Sequence, residues 1–332
     1  MRDVYEAQFS NTSSSVDLSV PLMSPRLSNG VLAASLTPFH DDLSVSHSAF
    51  TQHVQWLLAN GCDGVLLFGT TGEGLSLTVD ERVAGLEHLL SANVPASRLL
   101  VGTGALALPD AVRLTQAATE ENVGGVLVLP PFHFRQIRDE GVFRFYDQLI
   151  QRVGDEDLRL YFYHFPELSG VPIPFSVIQR LQDAYPEQIA GIKDSSGEWD
   201  HTEALCREFP DLQVFTGTER LFLEVLEAGG AGCISATTNL TSPLAARVLS
   251  EWRADTAPES TQERLSTLRT AFAPVPTIPA LKHLLAQRLG TRHWTATRPP
   301  LTTLTETERA TVEEIDDDLE SAVDLPGSSP TA

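Results

Sequence analysis

Eight short apolar runs, separated by helix-like stretches, constrain this chain more than any other feature. They cover residues 31–36, 64–68, 99–102, 125–129, 158–163, 189–193, 213–216 and 232–235. Most are continuously apolar rather than alternating, the pattern of parallel strands covered on both faces. The stretches between them carry helix signals. Thr78 and Glu81 form a capping-box pattern at the head of Val79, Val83, Leu86 and Leu90. Residues 110–121 and 220–228 also show helical spacing. Eight β–α units of this length predict a (β/α)8 TIM barrel. An open doubly wound sheet is the competing arrangement for the same pattern.

The barrel is expected over residues 30–239. Residues 1–29, rich in Ser, Asn and Asp with no sustained period, are read as a flexible N-terminal arm. After Ser235 the chain turns helical, so 240–320 is read as a C-terminal helical region, clearest at 280–289 and 306–319. Residues 321–332 are read as a flexible tail.

Composition excludes several function classes. The formal charge of −21 opposes binding to nucleic acid or anionic membrane, which both demand positive patches. No apolar run approaches the ~20 residues of a membrane span, and no basic segment followed by an apolar block marks a secretory signal. Cys62, Cys206 and Cys233 are scattered, without CxxC or metal-like spacing, which suits a reducing cytoplasm. Of 23 cationic residues only Lys193 and Lys282 are lysine. Adaptation to a saline cytoplasm and a genomic bias towards arginine codons are the rival explanations of that skew.

In a TIM barrel the active site lies at the C-terminal strand ends, and this rule selects few residues. Lys193 ends the sixth strand. A partly desolvated lysine there loses preference for its ammonium form, which frees the amine as a nucleophile for a ketone. The bland alternative is a rim lysine paired with Asp194. Tyr163 ends the fifth strand, one β–α unit earlier, where a phenol can shuttle a proton. Tyr161, two residues back, fits a core tyrosine with a backbone partner. The turn 69–73 offers backbone N–H groups and the hydroxyls of Thr70 and Thr71 to a small carboxylate. A phosphate cradle is the rival reading of that turn, although no GK[ST] follows it.

Together these segments resemble the family of dihydrodipicolinate synthase and N-acetylneuraminate lyase. The matching pieces are SLTPF at 35–39, GTTGEGLSLTVDER at 69–82, YHFPELSG at 163–170, GIKDSSG at 191–197, ISATTN at 234–239 and RPPLTTLTETER at 298–309. The resemblance spans residues 30–319. It implies a (β/α)8 barrel with C-terminal helices, assembly into a homotetramer or dimer, and class I chemistry with no cofactor and no metal. It implies that Lys193 forms a Schiff base with pyruvate or a similar 2-oxo acid and that Tyr163 transfers the proton. Thr70 and Thr71 would bind the 2-oxo acid carboxylate, with Thr70 also touching the tyrosine hydroxyl.

The other half of the site departs from the family's two best-known branches. Leu168 stands where synthases of the lysine pathway usually carry an arginine for the semialdehyde carboxylate. Phe132 stands where they usually lend a tyrosine to the neighbouring subunit. Sialate lyases usually carry an Asp-Glu pair where this chain has Glu219 and Arg220. The expectation is therefore a lyase for a 2-keto-3-deoxy sugar acid or an N-acetylneuraminate-like substrate. Gly69, Ser195, Gly217, Glu219 and Ser235 would bind that substrate, with His133 a candidate hydroxyl partner or a plain rim residue. The alternatives are 4-hydroxy-tetrahydrodipicolinate synthase, a sugar acid dehydratase, a phosphate-binding barrel enzyme and a non-catalytic 2-oxo acid binder. A metal lyase is disfavoured, because the nine histidines form no HxH or HxxxH cluster.

Overall fold

The computed structural model describes residues 27–322. The first half runs β1 (Gly30–Ala34), α1 (His47–Ala59), β2 (Gly64–Leu67), α2 (Val79–Ser91), β3 (Leu99–Gly102), α3 (Leu108–Glu120), β4 (Gly125–Val128) and α4 (Asp139–Val153). The second runs β5 (Leu160–His164), the short α5 (Pro166–Ser169), α6 (Phe175–Ala184), β6 (Ile189–Asp194), α7 (Trp199–Glu208), β7 (Gln213–Thr216), α8 (Phe222–Glu227), β8 (Gly232–Ser235) and α9 (Thr238–Arg253). Then come α10 (Glu259–Ala271), α11 (Thr277–Leu289) and α12 (Glu306–Ala322). Each strand pairs in parallel with the next, and β8 closes on β1 with Gly30 opposite Gly232 and Ala33 opposite Ser235. The fold is a (β/α)8 barrel with helices appended at the C-terminal side.

Successive strand side chains point to opposite faces, and here both faces are dry. Val31, Val65, Val126, Phe162 and Val214 pack beneath the helices. Leu32, Leu66, Leu100, Leu127, Tyr161 and Phe215 fill the lumen. This double burial is why the runs read as continuously apolar. Tyr161 spans the floor as a core tyrosine, and its hydroxyl donates to the side-chain oxygen of Gln213 where the expectation was a backbone partner. Glycine makes room for its ring: a Cβ on Gly191 would lie 2.7 Å from Tyr161 Cδ1.

Three boundaries differ from the expectation. Leu27, assigned to the arm, is 2% exposed and packs with the lumen residues. Gln213 Nε2 holds the carbonyl of Leu27 at 2.9 Å. The rest of the expected arm, residues 1–26, and most of the expected tail, residues 323–332, lie outside the described residues. The helix α12 extends to Ala322, and near its end Arg264 donates to the Ser321 carbonyl and hydroxyl. Finally, α9 packs on β1 as the eighth barrel helix, leaving α10, α11 and α12 as the appended ones.

The capping box at α2 is present: Glu81 N donates to Thr78 Oγ1 at 3.1 Å, and Thr78 N donates to Glu81 Oε2 at 2.9 Å. Glu81 also pairs with Arg298, which follows α11 in the chain. The appended region is thereby tied to the rim of the barrel.

Candidate active site

The turn after β2 carries Thr70 and Thr71. Glu73 N donates to the Thr70 carbonyl and Gly74 N to the Gly69 carbonyl, both at 3.0 Å. Thr37 Oγ1 pins the Gly72 carbonyl at 2.7 Å. Gly72 lets the turn lie against β1, since a Cβ there would sit 2.9 Å from the Ser35 carbonyl oxygen. Glu73 adopts a left-handed φ of 54°, unusual for a residue with a side chain. What holds it is its carboxylate, which accepts from Lys282 Nζ at 2.5 Å and from Arg298 N at 2.8 Å. The Lys282 and Glu73 side chains are each 1% exposed. Burial pushes the Lys282 ammonium down to about 8, against the opposing pull of Glu73. Sequence reading missed this anchor, because its partners stand 209 residues apart.

Tyr163 and Lys193 are registered partners on β5 and β6. Both are nearly buried in the barrel mouth, and Lys193 Nζ lies 4.6 Å from the centre of the Tyr163 ring. The Tyr163 hydroxyl meets Thr70 Oγ1 at 3.3 Å. Lysine, phenol and threonine therefore form one contiguous group drawn from β5, β6 and the turn after β2.

The next registered pair, His164 and Asp194, turns away from the lumen. Asp194 accepts from Thr202 Oγ1 at 2.7 Å and Ser196 N at 3.0 Å, and its Oδ2 lies 2.9 Å from His201 Nδ1. Burial pushes its carboxyl up, but these hydrogen bonds outweigh that and leave it below the ordinary value. Asp194 is thus engaged outside the mouth, and among the described residues it forms no ion pair with Lys193. His164, Asp194 and His201 bring their ligand-type atoms within 4.8 Å of one another. The two rings are stacked at 4.4 Å and 17°, and His164 Nδ1 already accepts from Ile173 N. Stacked rings aim their in-plane lone pairs side by side, so this group is a poor fit for a shared cation. Burial lowers His164 to about 4, with Asp194 opposing.

A cavity of about 390 Å³ opens over Lys193 and Tyr163 and is also lined by Thr70, Thr71, Ser195 and Gly217. Gly69 shapes the turn beneath it through its carbonyl. Three expected contacts, Glu219, Ser235 and His133, lie elsewhere. Glu219 is 0% exposed, with its carboxylate surrounded by the hydroxyls of Ser235, Thr237 and Thr241. Neither Glu219 nor Ser235 lines the cavity. The reason is local: Glu219 opens a short 3-10 turn that points its carboxylate back into the hydroxyl cluster. His133 is exposed, in a left-handed conformation with φ of 77°, edge-on to Phe134 and away from the cavity. Conversely, Arg220, Arg269, Thr277, Ile278 and Glu167 line the cavity. Arg269 and Thr277 come from the appended helices, and no local pattern marks them as mouth residues.

A family model described as the dihydrodipicolinate synthetase family matches residues 27–318. The chain belongs to the dihydrodipicolinate synthetase family. It is a lyase of the aldolase type that this family comprises. An uncharacterized DapA-like lyase of Chloroflexus aurantiacus is 36% identical over 81% of this chain and 88% of its own. A 4-hydroxy-tetrahydrodipicolinate synthase of Acidiphilium cryptum is 30% identical over 68% of this chain and 76% of its own. The crystal structure of dihydrodipicolinate synthase from Agrobacterium tumefaciens superposes with a TM-score of 0.79 at 32% identity, covering 87% of this chain and 98% of that one.

Within this dihydrodipicolinate synthetase family member, the surroundings of Thr70 are apolar on one side. Phe132, Leu168, Leu75, Ile278 and Leu301 line an adjoining hollow of about 230 Å³. Leu168 is 50% exposed there. No helix among the described residues is long and apolar enough to cross a membrane.

Proposed function

We propose that this enzyme is a class I lyase that binds pyruvate as a Schiff base on Lys193. It would reversibly cleave or form a carbon–carbon bond in a 2-keto-3-deoxy sugar acid or an N-acetylneuraminate-like substrate. The observation that carries the reading is the Lys193–Tyr163–Thr70 group, with Lys193 Nζ 4.6 Å from the Tyr163 ring and the Tyr163 hydroxyl 3.3 Å from Thr70 Oγ1.

In this reading the Lys193 amine attacks the C2 carbonyl of the substrate, water leaves, and the imine takes up a proton to become an iminium. Tyr163 takes the proton of the C4 hydroxyl. The C3–C4 bond then breaks, its electron pair is drawn towards the iminium as an enamine, and an aldehyde departs. Protonation at C3 and hydrolysis release pyruvate and restore Lys193. Thr70 and Thr71 hold the C1 carboxylate, and Thr70 orients the phenol. Condensation is the reverse.

The apolar Phe132 and Leu168 disfavour 4-hydroxy-tetrahydrodipicolinate synthesis, although a relative carries that name. They leave a sugar acid dehydratase, which eliminates water instead of an aldehyde, as the second reading. The free, buried cysteines suit a cytoplasmic enzyme. The exposed Leu75 and Phe134 suit a surface covered in a homo-oligomer.

The test is borohydride reduction after incubation with pyruvate and with a panel of 2-keto-3-deoxy sugar acids, followed by peptide mass spectrometry. The expected result is a reduced adduct on Lys193, absent from Lys193→Ala. Adduct at another residue, or none, rejects the assignment.

A further inference from the structure

We infer that the cavity holds a second anion subsite, formed by Arg220 and Arg269, that selects a substrate with an anionic group at the end remote from its 2-oxo acid. The inference rests on the Schiff-base reading above and deepens it.

Both guanidiniums line the same cavity as Lys193 and Tyr163. They come from separate parts of the chain, Arg220 from the turn after β7 and Arg269 from α10. Among the described residues, neither side chain donates a hydrogen bond. Arg269 Nε is buried without a hydrogen-bond partner, although it stands 3.7 Å from Glu219 Oε2. That distance is an ion pair that anchors the arginine while leaving its remaining donors uncommitted. Arg220 is exposed towards the mouth and forms no ion pair within 4.0 Å among the described residues. A guanidinium offers five N–H donors in a planar fork that matches a carboxylate or phosphate.

The charge balance points the same way. The chain as a whole carries −21, yet the cavity lining combines Lys193, Arg220 and Arg269 with a single carboxylate, Glu167. A cationic recess in an acidic surface focuses its field on an entering anion. The 2-oxo acid's own carboxylate belongs with Thr70 and Thr71 in the proposed reading. The arginines therefore lack an occupant unless the substrate carries a second negative group. Glu219, expected to touch substrate hydroxyls, instead lies behind Arg269 and fixes it. The geometry thus replaces hydroxyl recognition by anion recognition at this end.

The test uses the full-length protein and borohydride trapping of two 2-oxo acids of equal length, 2-oxohexanoate and 2-oxoadipate. The half-saturating concentration is read for each. The wild type should trap 2-oxoadipate at a concentration at least about tenfold lower, a difference of about 1.4 kcal/mol. In Arg220→Gln and in Arg269→Gln that ratio should fall towards one. Arg220→Lys should retain part of it. A second arm compares glyceraldehyde 3-phosphate with glyceraldehyde as partners for pyruvate. Preference in the first arm alone assigns a carboxylate, and preference in the second alone assigns a phosphate. A ratio near one in both arms, or a preference that survives both glutamine variants, overturns the subsite. Failure of wild-type Lys193 to trap pyruvate at all would instead reject the Schiff-base reading.

Discussion

Tyr163 and Lys193 sit side by side as registered partners of β5 and β6, with the lysine nitrogen 4.6 Å from the centre of the tyrosine ring. The ring walls the amine off from one side, and the phenol beyond it reaches Thr70. In the proposed reading this one side chain does two jobs, shielding the nucleophile and presenting a proton carrier.

Tyr163→Phe separates these jobs. The ring remains, so pyruvate should still be trapped on Lys193 by borohydride. The hydroxyl is gone, so turnover should fall by roughly 10²–10⁴-fold, the usual scale of a lost proton-transfer group. Steady-state kinetics beside trapping yields checks both. Loss of trapping with turnover intact would contradict the assignment.

The Glu73–Lys282 pair should respond asymmetrically to mutation. Lys282→Met strands a buried carboxylate and should destabilise the fold by roughly 3–5 kcal/mol. The double variant Glu73→Gln/Lys282→Met removes both charges and should recover much of that loss. Thermal unfolding of the four proteins in a double-mutant cycle measures the coupling. Additive losses would show that the two side chains do not depend on one another.

Glu81 predicts a pH dependence. Its hydrogen bonds from Arg298, opposed by burial and helped by Thr78, pull its carboxyl down to about 2 from the ordinary 4.5. The folded state therefore holds this proton more weakly than the unfolded chain does. The resulting stability is fully present above about 4.5 and is lost as pH falls through about 2. The gap in melting temperature between wild type and Glu81→Gln should stay constant from pH 8 to pH 5, by the same linkage. It should then shrink as the solution is acidified towards pH 2. A gap that does not narrow on acidification would remove Glu81 as the titrating group.

The strands were legible because parallel barrel strands bury both faces, so most leave an uninterrupted apolar run. The strands Leu99–Gly102, Gln213–Thr216 and Gly232–Ser235 coincide with the expected runs. Strand-end logic also drew Lys193 and Tyr163 to one mouth. Its limit is direction within a turn: Glu219 and Arg220 are adjacent, yet one side chain is fully buried and the other lines the cavity. Arg269, Thr277 and Lys282 were beyond reach for a different reason. Their helices fold back over the barrel by tertiary packing, and nothing in their own spacing states which rim they meet. Leu27 shows the same limit at the other end, where one apolar residue in a polar stretch proves to be part of the floor.

The two lysines are 5% and 1% exposed, one in the mouth and one beneath the threonine turn. The chain has no other lysine, so its outer surface offers no lysine amine to acylating labels, amine-directed cross-linkers or coupling resins. Apart from the chain's own α-amino end, such reagents can react only by entering the barrel mouth or by waiting for the fold to open. Amine modification of this protein therefore works as a gauge of access to its interior.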